Sequence, residues 1–338
     1  MRAVGYQKSL PIEDPASLVD IEQPKPEPSG RDLLVKIHAI SVNPVDTKVR
    51  RRAEPEAGGW KILGWDAAGT VEAVGPDATL FKPGDAVYYA GALERPGTNA
   101  EFHLVDERIV GRKPASLSWA GAAALPLTAI TAWEALFDRL TVNRAVPGGR
   151  NAILIIGGAG GVGSIAIQLI RRLTDITIIA TASRAETRSW VEDLGAHHVV
   201  DHSRPLAAEV AALGIGAPAF VFSTTNTEDH LAQIVELIAP QGRFALIDDP
   251  AALDVMPFKR KSVSTHWEFM FTRSMFSTAD MAAQGELLNE VSRLVDEGTL
   301  RTTLGEVFGT ICAENLKRAH EFIESGRARG KVVLEGFA

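Results

Sequence analysis

Five glycines within seven residues give the clearest chemical signal in the sequence. The segment GGAGGVG directly follows the apolar run Ile153–Ile156, and Gly158, Gly160 and Gly163 fit the spacing GxGxxG. Glycines permit a tight turn and a close approach to a pyrophosphate, and the following helix offers free backbone N–H groups. Because a strand precedes the loop and a helical segment follows it, the pattern predicts dinucleotide binding rather than an empty turn. The other predicted cofactor contacts are Gly161, Val162, Ser223, Ile247 and Lys331.

The residues after the next strand indicate which dinucleotide is bound. Ile176–Thr181 leads into Ala182-Ser183-Arg184, where an NAD enzyme usually has an acid that accepts from the ribose 2′-hydroxyl. Ser183 and Glu186 fit a capping box, which would place Arg184 in the first helical turn. A cation there opposes the helix dipole unless an anion lies close, and a ribose 2′-phosphate is such an anion. The sequence therefore favours NADPH over NADH.

After Leu127, apolar strands alternate with helical stretches, which is typical of βαβ units and a parallel sheet. The predicted strands are Ala152–Ile156, Ile176–Thr181, His198–Val200, Ala219–Ser223, Arg243–Ile247 and Ser262–His266. The predicted helices between them are Ser164–Leu173, Ala185–Leu194 and Glu228–Ile238. We expect a doubly wound α/β domain over residues 128–271.

The chain before this domain has short strands and turns. Leu33–Ala39 alternates as a half-buried strand does, and Gly69–Gly75 and Ala86–Ala90 are joined across the turn Lys82–Asp85. We predict a β-rich domain over residues 1–127, completed by residues 272–338. The elements predicted in that tail are the helices Thr278–Glu297 and Ala313–Ser325 and the strands Gly305–Phe308 and Lys331–Leu334.

The composition limits the classes of partner. The 338 residues carry 35 Lys and Arg against 42 Asp and Glu, a net charge of −7 that attracts neither nucleic acid nor anionic membranes. The uncharged stretch 152–170 is long enough to span a bilayer, but its glycines indicate a strand, a turn and a helix. A single cysteine, Cys312, and the absence of an apolar signal segment in the first twenty residues predict a cytoplasmic protein.

Several motifs in order resemble the medium-chain dehydrogenase/reductase superfamily. They are LGWDAAGTVEAVG (Leu63–Gly75), KPGDAV (Lys82–Val87), LPLTAITAWEAL (Leu125–Leu136), the glycine loop and GKVVL (Gly330–Leu334). The resemblance covers nearly the whole chain. It implies a GroES-like β-rich domain followed by a Rossmann domain, hydride transfer with a nicotinamide cofactor, and pairing of two copies into a homodimer.

The alcohol dehydrogenase branch of that superfamily binds a catalytic zinc, and the corresponding residues here are Asn43, Trp65 and Asp66. An indole nitrogen does not ligate zinc, and a catalytic site needs at least three protein ligands. A structural site of four thiolates is impossible with one cysteine. No histidine stands at ligand spacing from a cysteine or a second carboxylate, so we expect no metal.

NPVD (Asn43–Asp46) together with GWD resembles the quinone oxidoreductase branch, which is zinc-free and uses NADPH. The resemblance implies that Asn43, Asp46 and Thr128 lie beside the nicotinamide, with Asn43 donating to the substrate oxygen and Asp46 orienting its neighbours. The usual tyrosine after NPVD is missing. The leading hypothesis is an NADPH-dependent reductase of quinones or α,β-unsaturated carbonyls. The alternatives are a metal-free aldehyde or ketone reductase, or a nicotinamide-binding sensor with negligible turnover.

Overall fold

The computed structural model describes residues 1–337 of the chain. The strands are β1 Arg2–Tyr6, β2 Val19–Glu22, β3 Asp32–Val42, β4 Lys61–Ile62, β5 Asp66–Val74, β6 Ala86–Ala90, β7 Phe102–Asp106, β8 Val110–Arg112, β9 Arg150–Ile156, β10 Thr177–Thr181, β11 His198–Val200, β12 Pro218–Ser223, β13 Arg243–Leu246, β14 Ser264–Trp267, β15 Leu304–Val307 and β16 Lys331–Glu335. The helices are α1 Pro44–Arg52, α2 Trp119–Ala123, α3 Pro126–Trp133, α4 Gly161–Leu173, α5 Ala185–Asp193, α6 Leu206–Ala212, α7 Thr227–Leu237, α8 Thr272–Met275, α9 Ala283–Asp296 and α10 Ala313–Glu324.

The chain forms two compact units, of which the first contains Met1–Ile130 and the chain from Phe271 onward. Its larger sheet has the order β15-β16-β3-β5-β6-β8, with β7 paired to β3, and a smaller sheet has the order β2-β1-β4. The last strand, β16, pairs antiparallel with β3, so that Val332 lies opposite Val42. The carboxyl-terminal segment therefore completes the antiparallel β-rich sheet.

The second unit contains Thr131–Met270 and one parallel sheet. Its strand order is β11-β10-β9-β12-β13-β14, and every neighbouring pair is parallel. Numbered within the unit, this order is 3-2-1-4-5-6, the arrangement of dinucleotide-binding folds. Apolar side chains of the central strands, among them Leu154, Val221 and Phe244, are fully buried, as a sheet covered on both faces requires. The predicted fold class is confirmed.

The two apolar segments long enough for a membrane have different structures. Residues 152–170 divide into β9, the glycine turn and α4, as predicted. The run Trp119–Arg139 combines α2, α3 and a π-helical stretch, Glu134–Arg139, and 83% of its most apolar window is buried within the protein. A buried core helix has this composition without crossing a membrane.

Five helices, α1, α2, α3, α6 and α8, are not predicted by the sequence pattern, and the start of α9 differs from the prediction. Asn43 is the N-cap of α1 and Pro44 its first residue, a position where proline costs no hydrogen bond. Helices α2, α6 and α8 are shorter than eight residues, and α3 has only eight, so none of them is long enough to show a clear periodicity. The predicted helix Thr278–Glu297 begins only at Ala283.

Candidate functional site

The glycine loop of the second unit is held in one conformation by close backbone contacts. Gly157 has a φ of +79°, which favours glycine, and its N–H donates to the Thr181 hydroxyl at 3.0 Å. A Cβ atom on Gly158 would lie 3.0 Å from the Cβ of Ala180, and one on Gly163 only 2.4 Å from the Gly157 carbonyl oxygen. These glycines therefore serve the tight turn and the packing of helix on sheet.

Gly160 has a different environment. The nearest protein atom to a Cβ built there is the Gly157 carbonyl oxygen at 3.4 Å, an ordinary contact distance. Gly160 is the N-cap of the 13-residue helix α4, and no side chain caps that end. Gly160, Gly161 and Val162 are all partly exposed, so their backbone is open to an anionic ligand.

The residues after β10 differ in one respect from the prediction. The N-cap of α5 is Arg184 and not Ser183, so Arg184 does not lie in the first helical turn. The Thr187 hydroxyl accepts from the Arg184 N–H at 3.3 Å and donates to its carbonyl at 2.9 Å, which replaces the predicted bond from Ser183. The guanidinium contacts Glu186 at 3.4 Å, and both side chains are largely exposed.

Ser223 is the last residue of β12, and Ile247 directly follows the neighbouring strand β13. Since parallel strands share one carboxyl edge, these residues lie on the same edge as the glycine loop and Arg184. The Ser223 hydroxyl accepts from Thr227 at 2.7 Å. Asp248, which no motif in the sequence indicates, accepts the Thr227 N–H at 2.8 Å and so satisfies a free donor of α7. Contact of these residues with a cofactor stays a prediction.

A second polar centre lies in the first unit and joins three of its strand ends. The Asn43 amide donates to Asp66 Oδ2 at 2.9 Å and to the Ser41 carbonyl at 3.3 Å. Lys331 Nζ contacts Asp66 Oδ2 at 3.1 Å, donates to the Val42 carbonyl at 3.1 Å, and donates to Asn43 Oδ1. All three side chains are buried. Every polar hydrogen of Asn43 and Lys331 thus has an acceptor inside the unit.

Asp46 belongs to the same centre through the start of α1. Its Oδ2 accepts from the Asn43 backbone N–H at 2.8 Å. Burial raises the pKa of Asp46 to about 7, the hydrogen bond from Asn43 and the charge of Lys331 oppose that rise, and Asp66 adds to it. The ammonium of Lys331 thus contacts the Asp66 carboxylate and lowers the pKa of Asp46 by its charge alone.

Thr128, the third predicted catalytic residue, lies in the first turn of α3. Its hydroxyl donates to the Leu125 carbonyl at 3.1 Å, and its side chain is buried. The preceding residue makes the connection to the polar centre, because the Leu127 N–H donates to Asp66 Oδ1 at 2.7 Å. The structure brings Asn43, Asp46 and Asp66 together. Thr128 is connected to them through the backbone N–H of Leu127, the residue before it.

The sequence predicts Lys331 as a cofactor contact and indicates Asp66 only as the counterpart of a lost zinc ligand. The structure places Lys331 in the centre with Asn43, from which it is separated by 288 positions. The sequence did contain a signal for this contact. A lysine at the first position of the apolar strand KVVL predicts a buried charge, and a buried charge requires an ion-pair or hydrogen-bond partner. The identity of that partner could not be read from the sequence.

Comparison with known proteins agrees with both units. Residues 29–123 match the alcohol dehydrogenase GroES-like domain, and residues 194–334 match the zinc-binding dehydrogenase family. A zinc-type alcohol dehydrogenase-like protein of Staphylococcus aureus is 41% identical over 340 residues, covering 99% of each chain. The chain belongs to the medium-chain dehydrogenase/reductase superfamily. It is an oxidoreductase of that type.

Two solved structures show how closely this medium-chain dehydrogenase/reductase follows its relatives. A Rhizobium etli protein provisionally described as a zinc-dependent alcohol dehydrogenase is 70% identical, with a TM-score of 0.98 over 100% of this chain and 98% of that one. The quinone oxidoreductase of Coxiella burnetii is 26% identical, with a TM-score of 0.81 over 99% of each chain.

Two of these relatives, from Staphylococcus aureus and Rhizobium etli, are named for zinc, but the polar centre of this chain does not fit a zinc ion. Lys331 donates to Asn43 and contacts Asp66, so an ammonium already lies against two of the three positions that correspond to ligands. The third is Trp65, which has no lone pair to offer. Within residues 1–337, no three His, Cys, Asp or Glu side chains are grouped as a metal site requires. This medium-chain dehydrogenase/reductase lacks the donor set for a catalytic zinc.

Proposed function

We propose that the chain is an NADPH-dependent reductase of quinones or α,β-unsaturated carbonyls that works without zinc. The observation that carries the proposal is the contact of Lys331 with Asp66 and Asn43. This contact puts a fixed ammonium where the family's alcohol dehydrogenases use a metal. Without a metal, dehydrogenation of a simple alcohol loses the Lewis acid that polarises its oxygen, whereas quinones and enones are electrophilic without one.

The second unit supports the nicotinamide cofactor. The uncapped N-terminus of α4 and the open side of Gly160 suit a pyrophosphate. Arg184 supports the phosphorylated form, because its contact with Glu186 is exposed and a 2′-phosphate competes well for a guanidinium. When bound, reduced nicotinamide supplies the hydride.

In this proposal the polar centre orients groups and holds charge. Both amide hydrogens of Asn43 have acceptors, so Asn43 positions Lys331 and Asp66 instead of donating to the substrate as first expected. Asp46 fixes Asn43 through its backbone N–H. The reduction is completed by a proton from solvent.

The test offers quinones, enones and aldehydes singly to the purified protein and follows NADPH oxidation. Quinones or enones should give the highest kcat/KM, and NADPH should exceed NADH. A preference for aldehydes or ketones would favour the metal-free carbonyl reductase, and no acceleration by any acceptor would favour the sensor. In Asn43→Ala, Lys331 and Asp66 lose the side chain that positions them, so kcat should fall by about 10–100-fold, with NADPH affinity largely kept.

We also propose that the protein is a cytoplasmic homodimer. Besides the cofactor, its binding partner in this proposal is a small-molecule substrate. The net charge and the single cysteine support the compartment, and the family resemblance supports the pairing. Light scattering at micromolar concentration should give twice the chain mass of 36.3 kDa. A value near 36.3 kDa would contradict the dimer.

A further inference from the structure

A cleft of about 570 Å³ lies on the surface of the first unit, between the β5–β6 loop, β8 and the first turns of α9. Small-molecule sites typically have volumes of about 300–1,000 Å³. The residues that line the cleft all lie between Arg31 and Arg112 or between Ala282 and Asn289, which are segments of the first unit. The cleft is therefore complete within one unit and contains none of the residues predicted to contact the cofactor.

One part of the cleft is apolar. Val110 on β8 and Phe81 are buried, whereas Leu80 beside Phe81 is 49% exposed. Ala282, the N-cap of α9, contributes only a methyl group to the wall. Covering an exposed leucine in a concave surface removes apolar area from water, which favours a ligand with an apolar body.

Three arginines line the remaining part of the cleft and are accessible to a ligand. The side chains of Arg31, Arg108 and Arg112 are 40%, 36% and 58% exposed. Each contacts one carboxylate, and these are, in the same order, Glu107 at 2.6 Å, Asp106 at 2.7 Å and Asp85 at 3.3 Å. A guanidinium has five N–H donors, so each arginine keeps donors for a second acceptor.

The hydrogen bonds of the described residues show which donors of the cleft are unused. Asp106 accepts from Arg108 Nε at 2.9 Å and Nη2 at 2.7 Å, and no described atom accepts from Nη1. Arg112 donates from both terminal nitrogens, and no described atom accepts from its Nε. The Asn289 side-chain oxygen accepts the Arg112 backbone N–H at 2.9 Å, whereas its amide nitrogen has no acceptor among residues 1–337.

The carboxylates that line the cleft need no ligand. Glu107 accepts from the backbone N–H groups of Thr79 and Leu80, at 2.8 and 2.6 Å, in addition to its arginine contact. Glu286 is exposed in the first turn of α9, where solvent and the helix dipole stabilise a negative charge. The unused hydrogen-bonding capacity of the cleft is therefore on the donor side, and a ligand has to supply the acceptor.

We propose that this cleft is a binding site for a monocarboxylate with an apolar body, of the aryl or alkyl carboxylic acid class. The carboxylate accepts from the unused N–H groups of Arg108 and Arg112, and the apolar body covers Leu80 and Phe81. The Arg112 guanidinium lies over the Phe81 ring, 5.0 Å from its centroid, so the cationic and apolar parts of the site adjoin. An inorganic anion would leave the apolar part exposed, and an uncharged molecule would lack the charge-assisted hydrogen bonds.

The test titrates the purified full-length protein with 4-phenylbutyrate and with 4-phenylbutanamide in a calorimeter. The two probes share the ring and the chain, and only the first carries a charge. The acid should bind at least about tenfold more tightly than the amide, as for one additional hydrogen bond between charged groups. Equal affinities, or no binding of the acid, would overturn the proposal.

Substitutions at partly exposed residues locate the site. Arg112→Gln removes one cation and should weaken binding of the acid by at least about tenfold. Ala282→Phe places a ring in the cleft and should abolish binding. Arg293→Gln makes the matched change on α9, at an arginine that is 51% exposed and does not line the cleft, and should keep the affinity. Acid binding that is unchanged in Arg112→Gln or in Ala282→Phe would contradict the proposal, because the ligand would then bind elsewhere.

A crystal structure with 4-phenylbutyrate gives a second measurement that needs no variant. The carboxylate should lie within hydrogen-bonding distance of Arg108 or Arg112, and a carboxylate bound only at another site would refute the proposal. The cleft takes no part in the proposed hydride transfer, so NADPH oxidation by Arg112→Gln should match that of the wild type when no acid is present. If the protein reduces no acceptor, the proposed function fails and this site stands. If turnover is normal and the acid does not bind, only this inference fails.

Discussion

Lys331 Nζ lies 3.1 Å from Asp66 Oδ2, and the two side chains are 3% and 0% exposed. The pair joins the start of β16 to the start of β5, and Asn43 bonds to both partners. A buried ion pair loses most of its hydration, so each charge depends on the other. This dependence makes the centre sensitive to the loss of either member.

A double-mutant cycle should measure that dependence. Lys331→Met leaves the Asp66 carboxylate buried without its counterion, and the free energy of unfolding should fall by about 3–5 kcal/mol. In Lys331→Met with Asp66→Asn, both charges are gone, so much of that loss should be recovered. Urea unfolding of the wild type, both single variants and the double variant gives the coupling energy, and additive effects would argue against a coupled pair.

The contacts of the glycine loop predict that Gly160→Ala weakens cofactor binding, whereas Gly163→Ala destabilises the fold. Gly160→Ala places its methyl group at an ordinary distance from the protein, so the fold should persist while NADPH affinity falls at least about tenfold, or about 1.4 kcal/mol. Gly163→Ala places a methyl group 2.4 Å from the Gly157 carbonyl oxygen and should destabilise the fold by about 1–3 kcal/mol. Thermal melts with NADPH titrations would separate the two. A Gly160→Ala protein with normal affinity would mean that the pyrophosphate binds elsewhere.

Arg184→Glu should erode the preference for NADPH. Replacing the cation by an anion removes a charge-assisted hydrogen bond to the 2′-phosphate, which corresponds to about 1.5–3 kcal/mol in kcat/KM for NADPH relative to NADH. Arg172→Glu makes the same change at an exposed residue in the last turn of α4 and should leave the preference intact. Equal use of both cofactors by the wild type would show that the assignment to NADPH is wrong.

Purified protein should contain no stoichiometric zinc, and treatment with a chelator should leave activity unchanged. The physical reason is the donor set, since Asn43, Trp65 and Asp66 stand at the ligand positions and Lys331 bonds to two of them. Elemental analysis of the purified protein measures its zinc content per chain. One tightly held zinc per chain would contradict the prediction.

His320 should make stability depend on pH. The ring is fully buried on α10, neither nitrogen has a partner among the described residues, and burial, with a smaller effect of Arg50, lowers its pKa to about 3. The unfolded chain therefore binds a proton below pH 6.5 that the folded chain excludes, so the stabilisation is complete above pH 6.5 and is lost as the pH falls. Between pH 6.5 and 5 the cost is about 2 kcal/mol.

His320→Leu removes this titration. Relative to the wild type, the variant should become progressively more stable as the pH is lowered from 7 to 5, whatever its stability at pH 7. Urea unfolding at several pH values gives the difference in slope. Parallel stability curves for the two proteins would show that His320 is not excluded from protonation in the folded state.

Local sequence determined most of the elements, because their signals lie within a few residues of the structure that they specify. The strand Ala86–Ala90 and the strand His198–Val200 have the predicted bounds, since apolar runs between turn residues leave few alternatives. The glycine spacing determined the loop before α4, because only glycine tolerates the approach of Gly163 to the Gly157 carbonyl. The sequence predicts Ser183 as the cap of the helix after β10, but the cap is Arg184, because the Thr187 hydroxyl bonds to the Arg184 backbone N–H and carbonyl.

The tertiary structure alone decided which side chains form the polar centre. Pairing of β16 with β3 brings Lys331 to Asn43 across 288 positions, and no periodicity or spacing encodes that distance. The sequence showed that ligands for zinc were missing, yet it could not show that an ammonium bonds to the residues left in their place. Burial and hydrogen bonding depend on which strands the folded chain places side by side, so the partners of a buried polar group cannot be read from the sequence alone.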